Sequence, residues 1–507
     1  MTSTTAIDRR QAADRVDALG LPTRHADDIF VDGVWTTAHS AQRRAVVDPA
    51  TAFEWGSVPV GDSEDLDAAV ASARRAFDSG PWPRMTPSER AAVLLRAADR
   101  LEPLARPLSL TNTLENGTPV AETSEAAANA ASIFRYFATL APLLEADDVR
   151  PAPSHTHETV VRRDPIGVCA VIAPWNFPIN LVVVKLAPAL LAGCTVVIKP
   201  ASLTPLSVRF IVQALAEAGL PAGVVNVVTG SGALGEELVR HPGIDKVAFT
   251  GSTEVGRAIA RQCGELLRPV TLELGGKSSA IVLPDTDSAA MQGVLLRSCL
   301  RNTGQTCYIS TRLLIPEPRY DEIVDAVVHT VESAPQGDPL DATTVFGPSA
   351  SAAQQRSVLA HIDSARAQGA TVALGGGAAE FDAPFDRGFF VQPTVLTDVT
   401  ADMDVAREEI FGPVLTLLRY TDVDEAVGIA NATPFGLGGV VFGGDERTAL
   451  AVAERVDSGS VGVNFFASNH AAPFGGRRDS GLGVEYGPEG LHAYLTYKSI
   501  HRRASLV

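Results

Sequence analysis

Val168-Cys169-Ala170-Val171-Ile172-Ala173 is an uncharged apolar run, and stretches of the same kind return at Cys194–Lys199 (CTVVIK), Val224–Val228 (VVNVV) and Lys246–Thr250 (KVAFT). Helical segments fill the intervals at 180–193, 204–218 and 233–240, and another follows at 253–263. Regular strand–helix alternation of this length predicts a parallel, doubly wound sheet, so the fold class is α/β.

Upstream of this run the reading is less regular. Residues 1–25 are polar and aperiodic and read as a loose arm. Ile29 to Trp35 alternates around Asp32-Gly33, a hairpin signal, and a further strand ends at Asp48 before Pro49. Two helices follow. The second is marked by Thr86-Pro87-Ser88-Glu89, which joins a capping Thr, a proline at the first helical position and a capping-box Glu. An Ala-rich helix is expected from Ala121 to Leu140, and residues 149–161 read as a protruding hairpin. Downstream, a second α/β run starts after Gly276 and ends near Asn464. The tail from His492 to His501 is strand-like, suited to pairing with that hairpin or with another subunit.

The chain has 507 residues, 46% hydrophobic and 20% charged, with a net charge of −17 spread along its length. That balance argues against nucleic acid or an anionic membrane as the main partner, because both call for basic patches. The five cysteines (169, 194, 263, 299, 307) include no CxxC pair, so neither a disulfide framework nor a zinc site is expected, and no metal site is assigned. The polar N-terminus has no apolar core segment of a secretory signal, and Leu181 to Ile198 contains Lys185, Pro188 and Gly193. The expected compartment is the cytoplasm.

Chemistry concentrates between Glu273 and Cys307. Glu273-Leu-Gly-Gly-Lys277 puts a carboxylate at the tip of an apolar run, and Gly304-Gln305-Thr306-Cys307-Tyr308 puts a thiol on the loop after a helix read at 288–301. A thiolate attacks carbonyls, and a nearby carboxylate can later activate water. Pro174-Trp175-Asn176-Phe177-Pro178 fixes an amide between prolines, as an oxyanion donor requires. Phe249-Thr-Gly251-Ser252-Thr-Glu-Val-Gly256 follows a strand and opens a helix whose N-terminus suits a pyrophosphate, although it is not GxGxxG. Lys199-Pro200-Ala201-Ser202 ends a strand where such folds present ligand groups, and Glu409-Ile410-Phe411-Gly412-Pro413-Val414 offers a carboxylate and an aromatic ring. Taken singly, each piece reads equally well as structure.

Taken in order, PWNFP, KPAS, FTGSTEVG, ELGGKS, GQTC, EIFGPV and PFGG resemble the aldehyde dehydrogenase superfamily from about Ile29 to Ile500. The resemblance implies a Rossmann-like cofactor domain (1–147 and 165–277), an α/β catalytic domain (278–487) and a small β oligomerisation element (148–164 and 488–507). It implies Cys307 as nucleophile, Glu273 as general base and Asn176, with the Cys307 backbone N–H, as oxyanion site. It places Lys199 and Ser202 at the adenosine ribose, and Trp175, Gly251, Ser252 and Gly256 around the adenine and pyrophosphate. Glu409 and Phe411 fall at the nicotinamide ribose, and Glu485 matches a carboxylate that relays protons. The cofactor is NAD or NADP, the partner a small-molecule aldehyde, and the assembly a homodimer or homotetramer.

Two departures bear on these expectations. Ser202 stands where many NAD-preferring members carry Glu, which removes a repulsion against the 2′-phosphate of NADP. Val484 and Thr496 replace an Arg and a Glu that pair in tetrameric relatives, which leaves the oligomeric state open. Phe177, Ile179, Leu181, Val184, Tyr308, Phe465 and Phe466 read as an apolar substrate wall without Arg or Lys, so medium-chain aliphatic or aromatic aldehydes are expected. The alternatives are a semialdehyde dehydrogenase, a CoA-acylating relative (disfavoured by the presence of Glu273) and a catalytically silent protein of the same fold.

Overall fold

In the computed structural model, which describes residues 4–22 and 27–503, the strand Val168–Ile172 lies at the middle of an eight-stranded sheet. Side chains alternate across a strand, and here both faces are apolar. Cys169 and Val171 enter one core with Val196 and Ile198, while Val168 and Ala170 enter the opposite core with Val197 and Val247. Val168–Ile172 pairs in parallel with Thr195–Lys199 on one side and with Lys246–Thr250 on the other. Val225–Val227 and Val270–Glu273 extend the two halves, also in parallel. The chain thus reverses its winding direction beside Val168–Ile172, and in such sheets ligands bind outside the carboxyl ends of the strands at that switch. Ala173, Lys199, Thr250 and Glu273 all sit at those ends.

The hairpin Asp28–Val31/Val34–Thr37 closes one edge in antiparallel fashion, turning through Asp32 (φ 55°) and Gly33 (φ 81°). Gly481–Leu482 closes the other edge against Leu272 and Glu273. A second, seven-stranded sheet is parallel except for the edge strand Thr371–Leu374; Ser279–Val282 lies inside it between Arg312–Pro316 and Gly439–Phe442. The loops that enter Arg312–Pro316 and Val414–Tyr420 carry Cys307 and Glu409, and they face the carboxyl ends of the first sheet across Gly275-Gly276. A Cβ on Gly276 would lie 2.5 Å from the Cys307 carbonyl oxygen, and one on Gly275 would lie 2.6 Å from a Glu409 carboxylate oxygen.

A third sheet is built from Asp148–Pro151, His157–Pro165 and Leu495–Arg503, so the tail pairs with the 149–161 hairpin of its own chain. The Thr86–Glu89 capping box forms as read, and the helix it opens runs Pro87–Leu101.

Two expectations are corrected. Thr4–Asp17 is a helix rather than part of a loose arm, while residues 1–3 and 23–25 of that stretch lie outside the described residues. Its anchor is tertiary: the Arg15 guanidinium bonds Asp48 at 2.7 Å and forks onto Asp338, and Ala12 is buried. The Ala121–Leu140 helix is instead two, Val120–Thr123 and Ala126–Ala138. Thr123 turns its hydroxyl inward to Ser109 (2.7 Å) and Thr113 (2.9 Å), and such side-chain bonds compete with helix continuation.

Candidate active site

The helix Ser288–Cys299 ends two residues before the predicted boundary, and the chain then passes through three left-handed residues, Asn302, Thr303 and Gly304. Gly304 is required there, since a Cβ would lie 1.8 Å from the Gly412 carbonyl oxygen. The tight loop brings the 302–307 segment against PWNFP. Asn302 donates its amide to the Asn176 carbonyl (3.2 Å), Asn116 donates to the carbonyls of Trp175 (2.9 Å) and Asn176 (3.3 Å), and Asn176 Nδ2 donates to the Gln305 carbonyl (3.0 Å). Asn176 is 4% exposed, and its Oδ1 has no partner. One N–H of its amide is thereby used to orient the group, and the other is free to donate.

Cys307 is half-buried, less open than a post-helix loop suggests. Burial pushes its thiol above the ordinary range, and the carboxylates of Glu409 and Glu273 push it the same way. Glu273, at the end of Val270–Glu273, is 3% exposed with neither carboxyl oxygen hydrogen-bonded. Burial raises its pKa well above the usual carboxylate range, Glu485 raises it further and Lys185 lowers it. Behind Glu273, Lys185 Nζ meets Glu485 Oε1 at 2.6 Å and donates to Thr250 Oγ1 at 2.6 Å, with the Lys185 side chain fully buried. The sequence reading counted Lys185 only against a membrane span. The available signal was a lone cation in an otherwise apolar helix, Pro178–Ala192.

Across Cys307 the predicted cofactor residues gather. Trp175 and Phe411 meet edge-to-face with centroids 5.3 Å apart, Phe411 in a left-handed conformation (φ 57°) with its carbonyl accepting from Gln354 (2.9 Å). Glu409 Oε1 accepts the Gly276 N–H (3.1 Å); burial pushes its carboxyl up to about 7 against the opposing pull of that N–H and of Lys277. Lys277, buried and without a partner for Nζ, is pushed down to about 7 by burial and then by Arg312. Lys199, read as a possible solvated strand end, is 6% exposed; burial and then Arg44 lower it to about 8. Its Nζ reaches only the Pro200 carbonyl, at 3.3 Å. Ser202 Oγ donates to the Gly230 carbonyl (2.9 Å) and, being a hydroxyl, brings no negative charge to this position. Ser252 caps the helix Thr253–Glu265, whose first turn faces the same cleft. Gly256 packs that helix on the sheet, where a Cβ would fall 2.3 Å from Leu274 Cδ2.

The donor set fits a dinucleotide. It offers a buried ammonium with one weak carbonyl contact, a helix N-terminus, an aromatic pair and a carboxylate already fixed by a backbone N–H.

On the remaining side a cavity of about 410 Å³ opens, lined in part by Phe177, Leu181, Tyr308, Phe465 and Phe466. Tyr308 stacks on Phe466 (4.7 Å, 16°) and meets Phe474 edge-on at 6.2 Å. Ile179 and Val184, expected on this wall, are each 1% exposed and do not line it; Ile179 borders an adjoining recess instead. The expectation of a wall without cations also fails, because Arg297 and Arg301 line the same cavity. Both lie on the helix and loop before Cys307, a stretch read only for its cysteine.

With this geometry in hand, comparison with known proteins is informative. The model of the aldehyde dehydrogenase family matches residues 35–500. Over 475 residues the chain is 48% identical to a geranial dehydrogenase of Castellaniella defragrans, covering 93% of this chain and 98% of that protein. Among solved structures, an aldehyde dehydrogenase of Mycobacterium tuberculosis complexed with NAD+ superposes with a TM-score of 0.90 at 41% identity, covering 94% of this chain and 97% of that one. Aldehyde dehydrogenase C of Pseudomonas syringae, in a mutant form complexed with NAD+ and octanal, gives 0.90 at 39% identity, covering 95% and 97%.

Proposed function

The chain belongs to the aldehyde dehydrogenase family and is an aldehyde-oxidising enzyme; from that premise we propose that it converts an apolar medium-chain or aromatic aldehyde to its carboxylic acid through covalent attachment to Cys307. The observation that carries this reading is the convergence of Cys307, Asn176 and Glu273 from separate elements onto one cleft, closed on one side by Tyr308 and Phe466. Apolar walls reward a buried hydrocarbon tail and penalise an unpaired charge. Relatives that act on geranial, or that were crystallised with octanal, support the same substrate class.

Lys199, Ser202, Trp175, Gly251, Ser252 and Gly256 would hold the adenosine and pyrophosphate portion of NAD or NADP, and Glu409 and Phe411 its nicotinamide ribose. Bound there, the cofactor supplies the acceptor for the hydride that leaves the aldehyde carbon. Every other duty falls to the chain itself. The Cys307 sulfur bonds the carbonyl carbon as the C=O π bond opens, and the thiol proton passes by way of solvent to the oxygen, giving a thiohemiacetal; once the hydride has left the carbon and the hydroxyl proton has gone to solvent, the same sulfur carries a thioester. Asn176 and the Cys307 backbone N–H donate to the carbonyl oxygen as it gains charge. Glu273 accepts a proton from the water that cleaves the thioester, releasing the acid and restoring the thiol. Because the resting pKa values of Cys307 and Glu273 both lie above their ordinary ranges, the rate rises with pH. The combination of a neutral Ser202 and the cations Lys199 and Arg44 supports use of NADP as well as NAD.

Residues 1–147 with 165–277 form the cofactor half in this reading, and 278–487 the catalytic half. The nearly fully exposed strand Leu495–Arg503 supports a role for 148–164 and 488–507 in a homodimer or homotetramer. The experiment is NAD(P)H formation with hexanal, benzaldehyde and succinic semialdehyde. The expected result is a higher kcat/KM for hexanal or benzaldehyde; a clear advantage for the semialdehyde overturns the substrate class.

A further inference from the structure

Arg301 presents a paradox. It lines the cavity walled by Tyr308, the residue after Cys307, where a guanidinium would favour a substrate whose far end is a carboxylate. Yet its charge is already matched. Arg301 Nε and Nη2 both reach one carboxylate oxygen of Glu122, at 2.9 and 2.8 Å, and Nη1 donates to the Tyr308 hydroxyl at 2.7 Å. The guanidinium also lies 5.3 Å from the centre of the Phe177 ring. Burial alone would lower the Arg301 pKa, but Tyr308 and Glu122 outweigh it and hold the group firmly charged. Glu122 comes from a different element, the short helix Val120–Thr123, and it borders an adjoining recess with Asn129, Asn180 and Arg301.

We propose that Glu122 sets the substrate specificity of this site by neutralising Arg301, so that an aldehyde with a carboxylate at its far end gains no net attraction from the Arg301 guanidinium. The inference rests on the apolar-aldehyde reading above and deepens it. Arg301 lines the cavity and Glu122 lies behind it in the adjoining recess, with side-chain exposures of 19% and 27%, so solvent only partly screens the pair. A carboxylate tail approaching Arg301 must also approach Glu122, and the two negative charges oppose each other. Removing the Glu122 charge while keeping its shape leaves Arg301 with only neutral partners, the amide oxygen that takes the place of the carboxylate and the Tyr308 hydroxyl, so its positive charge is no longer matched. Arg297, on the same wall and exposed, makes no ion pair among the described residues. It would add to the attraction in both forms of the enzyme.

The test is Glu122→Gln, read as the ratio of kcat/KM for succinic semialdehyde to that for hexanal. The ratio should rise about 10-fold, mainly through a lower KM for the semialdehyde, since an added attraction at the far end acts on binding. The rise should shrink as ionic strength increases. The double variant Glu122→Gln/Arg301→Met should return the ratio to near that of the unmodified enzyme, because both charges are then gone. An unchanged ratio in the single variant, or a gain that survives loss of Arg301, overturns the proposal. Should Glu122→Gln not fold, Arg301→Met in the otherwise unmodified enzyme decides. It leaves Glu122 as a lone anion and should lower the ratio, whereas a rise or no change contradicts the account. If the unmodified enzyme prefers the semialdehyde, the apolar-aldehyde reading fails; if it prefers hexanal and Glu122→Gln leaves the ratio alone, only the role of Glu122 fails.

Discussion

Two acid–base pairs flank the loop that carries Cys307, and they differ in depth. Lys185 and Glu485 meet at 2.6 Å with side chains 0% and 6% exposed, whereas Arg301 and Glu122 meet at 2.8 Å with 19% and 27%. The deep pair lies behind Glu273 and acts on a proton: Lys185 is the cation that draws the Glu273 pKa down against burial and Glu485. The shallow pair stands beside the substrate cavity and acts on which molecule may approach. Depth decides the difference. In a dry interior a charge shifts the titration of its neighbours, while near water its reach is shortened and it matters chiefly to a ligand that touches it. One chemical motif thus serves two functions in one active site.

The deep pair gives the larger expected effect. Lys185→Met should cut stability by about 3–5 kcal/mol, seen as a lower Tm, because Glu485 is left buried without its partner. The same variant should move the acidic limb of the kcat–pH profile toward higher pH. The sign follows from the site: Lys185 lowers the Glu273 pKa, so removing it raises that pKa and postpones ionisation of the base. A variant with lower Tm but an unmoved pH limb would reduce Lys185 to a structural role and erase the contrast.

A gentler change sharpens the comparison on the cofactor side. Lys199 is another buried cation, with no carboxylate matching it among the described residues and Arg44 as its electrostatic neighbour. Ser202→Glu would give it a nearby anion. The ratio of kcat/KM with NADP to that with NAD should fall about 10-fold, through weaker NADP. Equal behaviour of both enzymes, with NADP refused by each, would show that Ser202 does not face the ribose.

The sequence made these parts unequally visible, for physical reasons. Strands such as Val168–Ile172 were plain because burial on two faces demands an unbroken apolar run, and the Thr86–Glu89 box because a cap is written in adjacent residues. Order and spacing of motifs also led to Cys307, Glu273 and Asn176. The Thr4–Asp17 helix was hidden because its anchor, Arg15 on Asp48 and Asp338, reaches residues 33 and 323 positions further along the chain. The same holds for Arg301 and Glu122, 179 positions apart, and for Lys185 and Glu485. Pairs of charges on distant elements leave no local pattern; each member reads as an ordinary polar residue until the fold joins them.

The central claim is that Cys307 carries the substrate and that Glu273 serves only the later attack of water. Rapid mixing of Glu273→Gln with hexanal and NAD+, followed by intact-mass analysis, tests it most directly. The account predicts a burst of about one NADH per active site, then turnover slowed about 10²–10⁴-fold, with a hexanoyl group trapped on the protein and absent when Cys307→Ala is added. A Glu273→Gln enzyme that shows neither burst nor adduct, or that turns over at the unmodified rate, would contradict it.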